Sequence, residues 1–151
     1  MGLTSFLSEE NIALHREYLA SMRARRKMGL SEGREREINE AILSHELYFS
    51  SFAKQRRPCE RARRGFGSES AFCYELKSFA LTKISGFIYI YPLMRFPYIG
   101  YSSRGADVYR ARLCIDLFEH AYFLDYAFDL ERYLCGALSH LDLSRLDENK
   151  D

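Results

Sequence analysis

Each of the first two helical segments carries a histidine inside its apolar stripe, and this feature constrains the fold of the chain more than any other. Ser8 is a good N-cap, and beyond it Ile12, His15, Leu19 and Met22 recur at intervals of three, four and three. That spacing predicts an amphipathic helix ending near Gly29. After a short break around Ser31 to Gly33, Ile38, Ala41, Ile42, His45, Phe49 and Phe52 repeat the pattern. So short a joint favours an antiparallel hairpin, which brings the two imidazoles together. A lone histidine on an apolar face is usually a hydrogen-bonded core residue, but two on adjoining helices weaken that reading.

The rest of the chain changes character twice. Pro58 and the turn signal GFGS (Gly65 to Ser68) lead into a third helix over residues 69–83, with Phe72, Leu76, Phe79 and Ala80 on one side. Residues 87–101, FIYIYPLMRFPYIGY, read as two adjoining strands, and a loop over 102–107 precedes a third strand through 112–115. The stretch FEHAYFLDYAFDLERYLCGAL reads as a closing helix. The expected class is therefore α+β: an N-terminal antiparallel helical hairpin (1–64), then a small three-stranded antiparallel sheet with flanking helices (65–151). A chain of 151 residues buries roughly 68 to 70% of its unfolded surface, enough for the two regions to form one compact unit.

Charge and composition exclude several classes. Lys plus Arg number 22 and Asp plus Glu 21, for a formal charge of +1, so no nucleic acid is expected as a partner. The arginine-rich runs at 23–27 and 55–64 read as solvated helix faces, because no aromatic residues interleave them. No apolar run is long enough to span a membrane, and the first residues acquire charge too early for a secretory signal. A soluble, cytoplasmic protein without a membrane partner is the expectation. Cys59, Cys73, Cys114 and Cys135 are scattered, which predicts reduced thiols rather than a disulfide framework or a thiolate metal site.

Chemistry concentrates at one further place. Asp116 and His120 stand four residues apart where the last strand passes into the closing helix, with apolar neighbours on both sides. A carboxylate buried among such neighbours needs a cation or donors. With His15 and His45, these residues form a set of nitrogen and oxygen ligands without thiolate, suited to Fe, Mn or Zn. His140, the remaining histidine, reads as a structural or surface residue.

The string DLFEHAYFLDY (Asp116 to Tyr126), followed by ERYL, resembles the C-terminal signature of the iron/manganese superoxide dismutases, D-x-W-E-H-A-Y-x-x-D-Y. SHELYF (Ser44 to Phe49) is similar to that family's second-helix motif, and FGSESAF (Phe66 to Phe72) to its F-G-S helix start. SGFIYI (Ser85 to Ile90) is similar to its S-G-W strand start, and LSEENIALH (Leu7 to His15) to the beginning of its first helix. The resemblance implies one Fe or Mn ion per subunit, held by His15, His45, Asp116 and His120, and superoxide as the substrate, converted to O2 and hydrogen peroxide. It also implies a homodimer in which each Glu119 orients His120 of the other subunit.

Departures from the family pattern surround those ligands. The chain has no tryptophan, and Phe49, Phe87, Tyr89 and Phe118 stand where the pattern has that residue. The Gln or His that the family sets against metal-bound solvent is replaced by Ala41 at one position and Ala106, beside Asp107, at the other. Leu19 and Arg23 occupy the gateway positions of the first helix, with Tyr18 near enough to substitute, and Phe123 replaces the gateway tyrosine beside Tyr122. Tyr18, Glu119 and Tyr122 are thus the candidate catalytic residues around the ligands. Two readings follow: an active dismutase, or a metal-binding homologue with little activity that serves a binding or structural role. An unrelated oxygenase with two histidines and one carboxylate would leave one histidine and Glu119 unexplained.

Overall fold

The computed structural model describes residues 2–105 and 108–148. Helix α1 (Glu9–Arg26) starts at Ser8, whose hydroxyl accepts from the Asn11 amide at 3.1 Å. Glu9 and Glu10 occupy its first turn, and Arg23, Arg25 and Arg26 its last, each end complementing the helix dipole. Helix α2 (Glu32–Ser50) absorbs Gly33, which the sequence placed in the break. The two run antiparallel: Arg23 pairs with Glu46 at 2.6 Å, while Arg26, further along, meets the earlier Asn39 at 3.2 Å. Leu19, Met22 and Ile42 form a small apolar cluster between the two helices, on the joint side of His15 and His45.

A seven-residue helix, α3 (Glu60–Phe66), takes up part of the arginine-rich run that reads as a solvated helix face, and it extends into the GFGS turn signal. It is held by tertiary contacts rather than by periodicity. Glu69 accepts from the Cys59 amide at 3.0 Å and pairs with Arg63 at 2.9 Å, and Gly67 ends the helix at φ +86°. Helix α4 (Glu69–Leu81) follows the expected stripe, burying Phe72, Leu76 and Ala80.

Strands β1 (Phe87–Leu93), β2 (Phe96–Ser102) and β3 (Leu113–Asp116) form the antiparallel sheet in the order β2-β1-β3. The third strand lies one residue later than its sequence pattern indicated. Its register pairs Phe87 with Asp116 and Tyr89 with Cys114, so Asp116 ends the ladder beside the start of the central strand. Residues 87–91 are all buried, as suits the central strand of the sheet.

The expected closing helix is broken. A 3-10 turn (Glu119–Ala121) and one turn of helix, α5 (Phe123–Tyr126), precede a reversal at Ala127, which adopts φ +49°. Helix α6 (Leu130–His140) then starts afresh on Asp129, whose carboxylate accepts from the Arg132 amide at 3.1 Å. The break keeps Tyr122 buried and lets the Tyr126 hydroxyl donate to the Phe6 carbonyl. A single apolar cluster runs from Leu3 to Leu146. The segment after α2 is stitched to the end of α6 by Ala53 N–H to the His140 carbonyl (2.8 Å) and Asp142 N–H to the Ser51 carbonyl (2.9 Å). Cys59, Cys73, Cys114 and Cys135 are all free thiols, as expected. No described helix is long and apolar enough to cross a membrane.

Candidate metal centre

Four side chains from four elements meet beneath the hairpin. α1 supplies His15, α2 His45, the end of β3 Asp116, and the following 3-10 turn His120. One ligand atom from each lies within 4.8 Å of all the others. Asp116 Oδ2 is the focus: His15 Nε2 lies 3.0 Å from it, His120 Nε2 3.1 Å and His45 Nε2 3.3 Å. His15, His45 and Asp116 are buried, whereas His120 is 23% exposed and forms the edge of the site towards solvent.

The hydrogen bonding of these groups shows what the cluster can hold. His45 Nδ1 lies 2.7 Å from the Ala41 carbonyl, and a carbonyl only accepts, so this nitrogen carries the proton. Burial pushes His45 below the usual imidazole range against the pull of Asp116, which keeps the ring neutral. Its Nε2 lone pair therefore faces the Asp116 oxygen, and the His120 Nε2 lies 3.2 Å away. His15, despite its closeness to Asp116, has the geometry of a hydrogen bond at neither ring nitrogen. A buried imidazole left in that state is costly, and a cation among the four atoms would engage the Nε2 that faces Asp116. Bonds of about 2.0 to 2.1 Å to one ion place neighbouring donor atoms about 3 Å apart, the spacing observed here. The donor set and its spacing fit a first-row transition metal.

Asp116 is positioned from behind. Burial would raise its carboxyl, but contacts from His120 and His15 outweigh that effect and hold it below the usual carboxylate range. Its other oxygen accepts from the Phe118 amide at 2.8 Å, and its backbone carbonyl accepts from the Tyr133 hydroxyl at 2.9 Å. Tyr133 in turn meets the Tyr48 hydroxyl at 2.9 Å, in a fully buried pair whose phenols burial pushes far up, so both stay protonated. Asn11 anchors the other side, donating to the Ala121 carbonyl at 2.7 Å and tying α1 to the turn that carries His120. None of Asn11, Tyr48 and Tyr133 was singled out from the sequence. Their signal was only a polar atom on an otherwise apolar face.

The rings around the ligands follow the substitutions noted in the sequence. Phe49 packs against His15 and Phe87 against His45, at 5.0 and 5.2 Å between ring centres, and Phe118 stacks on His120 at 5.4 Å. Tyr89 is turned away to share a 2.6 Å hydrogen bond with Ser44. Tyr18, 45% exposed, stacks on His120 at 4.3 Å and stands at the mouth of the site. Glu119 lies exposed beside it in the same turn as His120. Tyr122 is one layer back, buried and stacked on Tyr133 at 4.7 Å. Arg23 is engaged by Glu46, and Leu19 is buried in the hairpin cluster. Ala41 packs against that same apolar cluster, while Ala106 and Asp107 lie outside the described residues. His140 is remote from the cluster, with Nδ1 3.1 Å from the Lys54 carbonyl.

A helical hairpin set on a small antiparallel sheet, with three imidazoles and one carboxylate converging between them, defines a protein with one candidate metal site among the described residues. Residues 54–149 match the model for the C-terminal domain of the iron/manganese superoxide dismutases, which is more than half of the chain, and the chain belongs to that family. No curated protein matches it.

Proposed function

We propose that this protein is a superoxide dismutase, converting superoxide to O2 and hydrogen peroxide at one Fe or Mn ion per subunit held by His15, His45, Asp116 and His120. The observation that carries the reading is the convergence of four ligand atoms within 4.8 Å, with the buried His15 Nε2 among them making no hydrogen bond and so open to a cation. When bound, Fe or Mn supplies the one-electron redox chemistry, oxidising one superoxide and reducing the next. The chain's own residues do the rest. His45 holds its Nδ1 proton on the Ala41 carbonyl and so presents Nε2 as a ligand; Tyr133 and the Phe118 amide fix Asp116; the Phe49, Phe87 and Phe118 rings exclude bulk water.

Reduction of superoxide to peroxide consumes protons, and Tyr18 is the proposed donor at the mouth, its hydroxyl open to water while its ring shields His120. Tyr122 supports the site through Tyr133. Glu119 is proposed to reach His120 of a second subunit across a two-fold homodimer, a role that suits a carboxylate left exposed beside that histidine. A soluble, cytoplasmic setting suits such an enzyme.

One feature favours a second reading, a metal-binding homologue with little activity: Ala41 stands where the family sets a donor against metal-bound solvent, and its neighbours are apolar. One experiment separates the two. Protein loaded with Fe or with Mn is assayed for superoxide removal by inhibition of cytochrome c reduction, together with His120→Ala. The dismutase reading expects about one ion per subunit and activity that vanishes in the variant. Full metal loading with no superoxide removal establishes the homologue instead.

A further inference from the structure

We propose that a groove on the side of α2 facing away from the imidazoles binds a small aromatic phosphate of mononucleotide size. Leu43 and Leu47 each lie about 200° around the helix from His45, so this surface is separate from the metal centre and the proposal does not depend on dismutase activity. Two adjoining cavities, of 500 and 360 Å3, share Leu47, Tyr109 and Ala111 and make the groove continuous. Their sizes fall in the range of small-molecule sites.

The two halves differ in chemistry. Arg110, Arg112 and Arg145 line the larger cavity, and none of its described lining residues is acidic. Arg145 is held in place by donating from Nη1 to the Ser50 carbonyl at 2.7 Å and hydroxyl at 3.3 Å, which leaves its Nε and Nη2 donors available. Among the described residues, Arg110 and Arg112 make no ion pair. Three like charges in one cavity repel one another, and an anion that accepts several N–H bonds at once relieves this best; phosphate has that geometry.

The smaller cavity is mainly apolar, with Leu43, Leu47 and Val108 on its walls, and the ring of Tyr109, 67% exposed, stands where the two cavities join. A bare inorganic anion would leave that half unused. A planar ring carried by the phosphate would pack there against Tyr109. Glu46, the one carboxylate among the described residues lining that half, is paired with Arg23 at 2.6 Å. A nucleic acid strand is disfavoured by the chain's net charge of +1.

The test is calorimetric titration of the full-length, metal-loaded protein with adenosine monophosphate, adenosine and inorganic phosphate, repeated with Arg110→Gln and Arg112→Gln. Arg110 is exposed, so that substitution leaves packing intact. The expected result is one monophosphate per chain with Kd below about 1 mM, and adenosine and phosphate each at least about tenfold weaker. Each variant loses about five- to tenfold in affinity for the monophosphate, with its melting temperature unchanged. The proposal is overturned if the monophosphate does not bind at millimolar concentration, if either fragment binds as tightly as the whole, or if both variants retain full affinity.

Discussion

His45 shows how much one hydrogen bond decides. The Ala41 carbonyl fixes the proton on Nδ1 and turns Nε2 into a ligand, while burial holds the ring below its ordinary pKa of 6.5. The metal-free protein therefore binds fewer protons at this ring than its unfolded chain does. The resulting stability is fully present above about pH 6.5 and is lost as the pH falls from there towards the folded value. Asp116, also depressed, adds stability that persists above the ordinary carboxylate range and is lost only at far lower pH. Thermal melts of the metal-free protein should show a lower midpoint at pH 5 than at pH 7.5, with His45→Gln flattening that dependence. An equally steep dependence in the variant would show that another group carries it. The spacing already puts Ala41 and His45 on one helical face, but the ring orientation that brings Nδ1 to the carbonyl and the burial that lowers the pKa exist only in the packed structure.

At the scale of elements, long periodic segments were readable and short ones were not. The stripes of α1, α2 and α4 and the Ile/Tyr/Phe-rich strands appear where residue spacing placed them, because each presents a repeating apolar face to the core. The run at 55–64 reads as a solvated helix face, but seven residues hold too few periods to bound α3, and its support from Glu69 comes from outside the helix. The closing segment was misread as continuous because its residues suit a helix throughout. What breaks it is the burial of Tyr122 against Tyr133 and the tie from Tyr126 to Phe6. One glycine sets the start of the sheet. Gly86 adopts φ +117°, and a Cβ there would meet the Tyr101 ring at 2.6 Å and the Ser102 carbonyl at 2.9 Å. Its own carbonyl accepts from Leu117 at 2.8 Å, next to the Asp116 ligand position. Gly86→Ala should cost on the order of 1 to 3 kcal/mol in urea denaturation and lower metal retention, because the strain falls where β1 and β3 present the site. Unchanged stability would mean that the backbone can relax at that junction.

For the whole molecule, the question is what covers the edge at His120. Glu119 in the 3-10 turn and Phe123, Leu124 and Phe128 on either side of the α5–α6 break are exposed, which suits the proposed contact with a second copy. If the proposed dimer forms through Glu119, Glu119→Ala should yield monomers in analytical ultracentrifugation and lower metal content, whereas a variant that dimerises as the wild type does would remove Glu119 from the interface. The sequence by itself determined the α+β class, the hairpin and the four residues of the candidate site, because periodicity and motif spacing are local properties that survive in one dimension. Only the tertiary structure decided that Tyr48 and Tyr133 hold Asp116 from below, that Asn11 ties α1 to the His120 turn, and that three arginines share a groove with Tyr109. Those contacts join residues far apart in the chain, and a polar side chain carries no mark of its partner until packing brings the two within hydrogen-bonding distance.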